Sequence, residues 1–415
     1  MTDTIVSSLS AAYSAYTTLP DNDRVLLADG TYNQSGTKSL TKNATGYTTF
    51  RAQNIGGAIL TGDPIELNSD KIIFEGFDIQ WSKASGNYGE INANNCIFRR
   101  NKVHLGNGTG TQHWQVVLGN NNIINNNEFY SKATQGNMLL VGSSDAIVTG
   151  TQVYKNHFHD QTTAGSGGET LRVGSSETAW IDFSSNIYLN LFERCDGDPE
   201  MLCIKSSYNN IHHNTILNCN ASLSLRHGNF NKVEDNYIKN TGFRFFGHGH
   251  SIKRNQILED SRNQLRGHMV FLNGDQQDDV GAIGTIGAPN NQHAQVYDCI
   301  IEDNVIMAKN ATSLIIFCFG FNGATVNPDY KPLNNQILNN IITGSTGTLA
   351  KANDGASWTG NTVSGNILNA TGTATLGDMP TTGYTTHAHN LVEKADGTYR
   401  CCSMLTPLMV GPFTG

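Results

Sequence analysis

Charge is scarce in this chain. Asp, Glu, Lys and Arg make up 15% of its 415 residues, against the usual quarter or so, yet 38% of residues are hydrophobic, which excludes a disordered chain. No run of eighteen apolar residues occurs, so no helical membrane span is encoded. Basic residues are outnumbered, 27 against 35, for a net charge of -8. That excludes a general nucleic-acid binder, which needs a Lys/Arg excess, and leaves room only for a local basic cleft. The eight cysteines form no CxxC pair and no zinc-type Cys/His spacing; most are expected to be buried thiols. Met1 to Ser10 lacks a charged segment followed by a long apolar one, so no secretory signal is visible and localisation is not legible here. Proline numbers only 9.

Asparagine is abundant instead: 48 residues, more than the 43 glycines. Much of it belongs to one pattern, an apolar residue, two variable residues, Asn, one variable residue and another apolar residue. It recurs at Asn101, Asn127, Asn156, Asn190, Asn214, Asn236, Asn255, Asn304, Asn340 and Asn366. A period of about twenty to thirty residues, rich in short apolar alternations and poor in helical pattern, predicts an all-β, single-domain, right-handed parallel β-helix. Asn suits the corner, because it tolerates a left-handed backbone and can hydrogen-bond to the equivalent Asn one coil away, forming a ladder. The gap of 49 between Asn255 and Asn304 reads as two coils. SSLSAAYSAY reads as a short amphipathic helix ahead of the strand DRVLLADGTY, an N-terminal cap over about residues 1–30. The β-helix is expected over 1–395, with 396–415 as a C-terminal tail or cap. The segment RNQLRGHMVFLNGDQQDDVGAIG is long enough to wall a cleft.

Coils stacked in register bring residues at equal offsets together. Lys205 lies 9 residues before Asn214, Arg226 lies 10 before Asn236, and Arg244 lies 11 before Asn255, with Arg172 at a related place one coil earlier. Like charges stacked this closely repel by roughly a kcal/mol or more per pair, which points to an anionic partner. The alternative is that each cation is separately paired with Asp or Glu. Beside the stripe, the turn CDGDPEM carries Asp198 and Glu200. Carboxylates two apart on a strand share a face and can hold a hard cation such as calcium, or can merely hold Lys205 and Arg226 in place. Spacing decides neither.

GGETLRVGSS, FERCDGDPEMLCIKSSYNNIHHNTI, LSLRHGNFNKVEDNYI and TGFRFFGHGHSIKRN together resemble the core of polysaccharide lyase family 6, the alginate lyases and chondroitinase B. The match is densest from Gly167 to Asn255. The resemblance implies a lyase that cleaves a uronate-containing acidic polysaccharide by β-elimination, with Lys205 at the catalytic base and Arg226 at the catalytic arginine. Arg244 then matches a substrate-contacting arginine and His227 sits beside the site, while Arg172, His248 and His250 are further candidates for lining it. Glu169 and Arg172 can form a supporting ion pair. Calcium-dependent members carry two glutamates in the acidic turn and an asparagine before the GGET-like stretch. Here Asp198 and Ser166 stand at those places, so no obligatory metal is expected, with Asp198 and Glu200 the ligands if calcium binds.

Removing the C5 proton of a uronate builds charge beside an existing carboxylate, so that carboxylate must be neutralised. A lysine, protonated at its ordinary pKa near 10.4, becomes a base when neighbouring arginines depress it. Arg226 holds its proton too tightly for facile donation and is assigned charge stabilisation, leaving a tyrosine or water as the acid. Alginate is the expected substrate, on the commonness of that activity in the family. The rivals are a dermatan sulfate lyase, a mannuronan C5-epimerase, a pectate-lyase-like enzyme and a non-enzymatic glycan-binding β-helix. The resemblance also implies secretion or a periplasmic location.

Overall fold

The computed structural model describes residues 1–104, 109–162, 164–259, 269–272, 293–308, 315–319, 330–344, 350–352, 360–370, 384–386 and 409–412. Nearly all are strands and corners, and the strands fall into three parallel sheets, the parallel β-helix read from the repeat. Two compact units are distinguished, Met1–Val173 with Phe183–Met201 and Leu405–Gly415, and Gly174–Asp182 with Leu202–Met404.

In the first unit each coil contributes three short strands, such as Ile123–Asn125, Glu128–Tyr130 and Leu139–Val141. Each pairs in parallel with its counterpart one coil on: Ile124 faces Val153, Phe129 faces Phe158 and Leu140 faces Arg172. Because side chains alternate across a strand, equivalent apolar residues stack inside. Phe129, Phe158 and Phe192 lie 5.0 and 4.9 Å apart, ring on ring. The repeat asparagines run beside them. Asn101 donates through backbone and side chain to Asn127 Oδ1, Asn127 to Asn156, and Asn156 to Asn190, all at 3.0–3.2 Å. The N-terminal helix, Leu9–Thr17, is capped by Ser8, whose hydroxyl accepts from the Ala11 amide, and sets Tyr16 edge-on against Phe50. Near the other end of the chain, the Gly411 amide donates to Lys155 O and Arg100 Nε to Pro412 O.

The second unit repeats the design. Its ladder runs Asn214, Asn236, Asn255, Asn304, Asn340, Asn366, each Oδ1 accepting from the backbone and side chain of the one before. Two expectations change here. The direct bonds from Asn255 to Asn304 make the 49-residue gap one coil with a long insertion, not two coils. Within that insertion, Met269–Leu272 forms a strand paired to Gly242–Phe245; the rest of the expected wall lies outside the described residues, as does most of 396–415. Nor do the ladder asparagines supply the left-handed corner. That backbone belongs to the residue before each one, Arg100, Asn126, Lys155, Leu189, His213, Asp235, Arg254, Asp303, Asn339 and Gly365. The repeat therefore uses Asn for its paired donor and acceptor, which satisfy buried backbone groups that the corner would otherwise strand.

A second ladder, five residues earlier in each coil, lines the preceding corner. Asn209 bonds to Asn231 and Asn335 to Asn361, while the Asn231 amide donates to His250 Nδ1 and Cys299 to Asn335 Oδ1. Cys96, Cys195, Cys203, Cys219 and Cys299 are buried free thiols, and burial pushes Cys96 up to about 11. Among the described residues no helix is long and apolar enough to cross a membrane.

Candidate active site

Adjacent strands of one sheet carry the cations of the second unit: Glu200–Lys205, of which Leu202 to Lys205 belong to this unit, then Ser222–His227 and Gly242–Phe245. Leu223, Leu225, Phe243 and Phe245 are buried inward, so alternation turns Ser224, Arg226 and Arg244 to the other face. The register pairs Ser224 with Arg244 and Leu225 with Phe245. Arg244 thus sits opposite Ser224, whose hydroxyl accepts from Arg244 Nε at 3.3 Å, two residues back from Arg226. The guanidinium of Arg226 lies 5.6 Å over the Phe246 ring. The stripe is therefore slanted rather than straight. Lys205 and Arg226 are half-exposed, whereas Arg244 is buried.

His227 completes the cluster from beneath. It is 1% exposed, and among the described residues neither ring nitrogen has a hydrogen-bond partner. Burial first, then the charges of Arg226 and Lys205, hold its pKa well below the ordinary histidine value. Burial thus favours the neutral imidazole, and the fields of Lys205 and Arg226 converge on it. It lines the floor of the cluster and is not open to a ligand.

His250 occupies the second-ladder position where other coils carry Asn. Its Nδ1 accepts from the Asn231 amide and its Nε2 donates to Phe246 O at 2.7 Å, so both nitrogens serve the corner rather than a substrate, and burial pulls its pKa to about 4. His248 is half-buried and belongs to an aromatic run that the sequence reading did not single out. Tyr208, exposed and three residues past Lys205, stacks on Phe230 at 5.0 Å. Phe230 meets His248 edge-on at 4.9 Å, and His248 stacks on Tyr297 at 4.5 Å. The signal was present as Tyr208 and Phe230 at one corner offset in successive repeats.

The acidic residues lie in the first unit. Asp198 is a turn staple, its two oxygens accepting from the Gly167 and Glu200 amides at 2.8 and 2.9 Å. Burial and the neighbouring Glu169 and Glu200 raise its pKa. Ser166 accepts through its carbonyl from Gln135 Nε2. The Glu169 and Glu200 carboxylates lie within 4.8 Å of each other. Glu169 also accepts from Asn137 Nδ2 at 3.2 Å and stands 4.0 Å from Arg172 Nη1, the ion pair that the sequence suggested. Three crowded carboxylates against one arginine are hard oxygen donors of the kind calcium takes. One further amine here is strongly perturbed: Lys132, buried over the Trp114 ring, has its pKa drawn down to about 7 by desolvation. All three of its donor positions are spent on Thr134 O, Thr134 Oγ1 and Gln135 O, so it is a packing group, not a base.

A family model described as chondroitinase B matches residues 6–405. Comparison with curated proteins finds no match. Among solved structures, the family 6 alginate lyase AlyGC is similar at 22% identity over 100% of this chain and 59% of that one, with a TM-score of 0.82. A family 6 polysaccharide lyase from Pseudopedobacter saltans matches at 19% identity over 98% of both chains, TM-score 0.77. A mannuronic acid specific family 6 lyase from human gut microbiota matches at 19% over 93% and 91%, TM-score 0.78. At these identities the structures attest the fold.

Proposed function

Since the chain belongs to the chondroitinase B family, the polysaccharide lyases of family 6, we propose that its substrate is alginate and that Lys205 and Arg226 carry out the elimination. The observation that carries this reading is the cation cluster of the second unit, with Lys205 and Arg226 both acting on the neutral His227. Such a cluster favours a polyanion and disfavours a third positive charge in its floor.

In the proposed reaction the Lys205 amine, in its free-base form, takes the C5 proton of a uronate. The C5 electron pair forms the C4=C5 double bond as the bond from C4 to the glycosidic oxygen breaks. The leaving oxygen takes a proton from water or from the Tyr208 hydroxyl, which stands three residues past Lys205. Arg226, with Arg244 anchored on Ser224, offsets the charge that grows on the carboxylate as C5 loses its proton, the step at which fixed cations act most strongly. The exposed Tyr208 ring at the end of the aromatic run offers an apolar face to a sugar ring.

Glu169, Asp198 and Glu200 are the residues that would hold calcium, which would supply positive charge to an anion beside them. Arg226 and Arg244 offset the charge on the uronate carboxylate themselves, so catalysis is proposed to need no metal. Alginate and mannuronate are named for the similar solved structures, which supports alginate over dermatan sulfate. The test is ultraviolet absorbance of unsaturated product on alginate and on dermatan sulfate, each with and without chelator. Absorbance on alginate that survives chelation is expected; absorbance on dermatan sulfate alone, or its loss on chelation, overturns the corresponding part.

A further inference from the structure

On a different sheet of the first unit, the strands Glu128–Tyr130, His157–Gln161 and Leu191–Cys195 lie side by side. The register sets Glu128 against His157, and His159 against Tyr130 on one side and Glu193 on the other. The phenylalanines between them point inward, so Glu128, His157, His159 and Glu193 share the outer face. They bond along crossing diagonals, His157 Nε2 to Glu193 Oε2 at 2.8 Å and His159 Nε2 to Glu128 Oε1 at 3.2 Å, and the two imidazoles stack at 4.1 Å. One ligand atom each from Glu128, His157 and His159 lies within 4.8 Å of the others. We propose that this cluster is a zinc site, in which Glu128, His157 and His159 bind one divalent ion that pins two successive coils together.

Two imidazole nitrogens and one carboxylate oxygen, with the fourth position left to water, form a donor set for zinc and its first-row neighbours, not for calcium, which takes oxygen. Tetrahedral ligands at about 2.0 to 2.1 Å from zinc stand roughly 3.4 Å from one another, within a small side-chain adjustment of the spacing present. The second observation is outside the ligands. His159 Nδ1 is held at 2.7 Å by Asp160 Oδ2, and Asp160 in turn by Arg194 Nε at 2.6 Å. A carboxylate on the far nitrogen is what fixes a metal-binding histidine in the tautomer and orientation that present Nε2.

The experiment is equilibrium dialysis and calorimetry of tag-free protein with zinc chloride, and visible absorption with cobalt(II), on the wild type, His157→Gln, His159→Gln, Asp160→Asn and, as a control elsewhere, His212→Gln, with folding followed by circular dichroism. The expected result is one zinc per chain, a cobalt band of low-coordinate intensity, and a higher melting temperature with zinc. Asp160→Asn should weaken binding about 10- to 100-fold, the ligand variants at least as much, and His212→Gln not at all. Folded wild type that retains no zinc, or ligand variants that bind as tightly as wild type, would overturn the proposal and leave the cluster a proton-bridged network.

Discussion

Asn236 tests the structural logic most sharply. Its Oδ1 accepts from the backbone amide and side chain of Asn214, both at 3.0 Å, and its Nδ2 donates to Ile211 O, Glu234 O and Asn255 Oδ1 at 2.9 to 3.0 Å. Asn236→Ala leaves two buried donors of Asn214 without their acceptor, at about 1–3 kcal/mol each, so roughly 4 kcal/mol in all. At 1.4 kcal/mol per factor of ten, protection of the flanking strands Asn210–His212 and Tyr237–Lys239 should fall by about a thousandfold in native-state hydrogen exchange. That readout suits a stacked-coil protein, which opens locally. Asn236→Gly should cost as much, because the left-handed residue of that coil is Asp235 and not Asn236. His213, exposed at φ 54° in the preceding coil, should accept Gly within about 1 kcal/mol of wild type. If Asn236→Ala changed protection less than tenfold, or if Asn236→Gly were tolerated and His213→Gly were not, the assignment of asparagine to hydrogen bonding rather than to the bend would be wrong.

Further outcomes are expected. His250 has its folded pKa lowered from the ordinary 6.5 to about 4, so its neutral form supports the fold fully above pH 6.5 and that support drains as pH falls towards 4, by about 3 kcal/mol. His250→Asn, which restores the residue other coils use there, should flatten acid denaturation measured by circular dichroism without altering KM. Arg226→Ala should lower kcat by about 10²- to 10³-fold, as loss of a group stabilising developing charge does, while Arg226→Lys retains part of the rate. Tyr208→Ala should raise KM roughly fivefold if its ring stacks on sugar, at about 1 kcal/mol, and should leave melting unchanged because the ring is exposed. The five described thiols should resist a thiol reagent until the protein unfolds, since each is buried and Cys96 is held protonated.

The coil architecture was legible because one corner of every repeat carries the same residue, and a buried amide that must donate and accept has few substitutes. The second ladder was not read. Its positions hold Asn122, Asn209, Asn231, Asn335 and Asn361 in half the coils but cysteine, threonine, serine or histidine in the rest, since that corner accepts several partial solutions. An asparagine five residues before another is the signal that would have found it, and it would have kept His250 off the list of substrate contacts. Counting asparagines also misread the 49-residue gap, because an insertion leaves no mark on a ladder that simply continues across it. The offsets of Lys205, Arg226 and Arg244 put them on neighbouring strands of one sheet, but offsets measured to the corner do not fix register within the strand. Arg244 lies 11 residues before its asparagine and Ser224 lies 12 before its own, yet the two are paired. The histidine pair on the outer face of the first unit went unnoticed because its carboxylate partners lie 31 and 36 residues away in sequence.

The central claim is that Lys205 removes the C5 proton and that elimination follows. The measurement is mass and ultraviolet analysis of the products when folded wild type and Lys205→Ala are each incubated with alginate. Wild type should yield shortened chains ending in an unsaturated uronate, and Lys205→Ala, with unchanged circular dichroism, should yield none. Full-length polymer with altered mannuronate-to-guluronate content, or a Lys205→Ala variant that still produces unsaturated fragments at the wild-type rate, would contradict it.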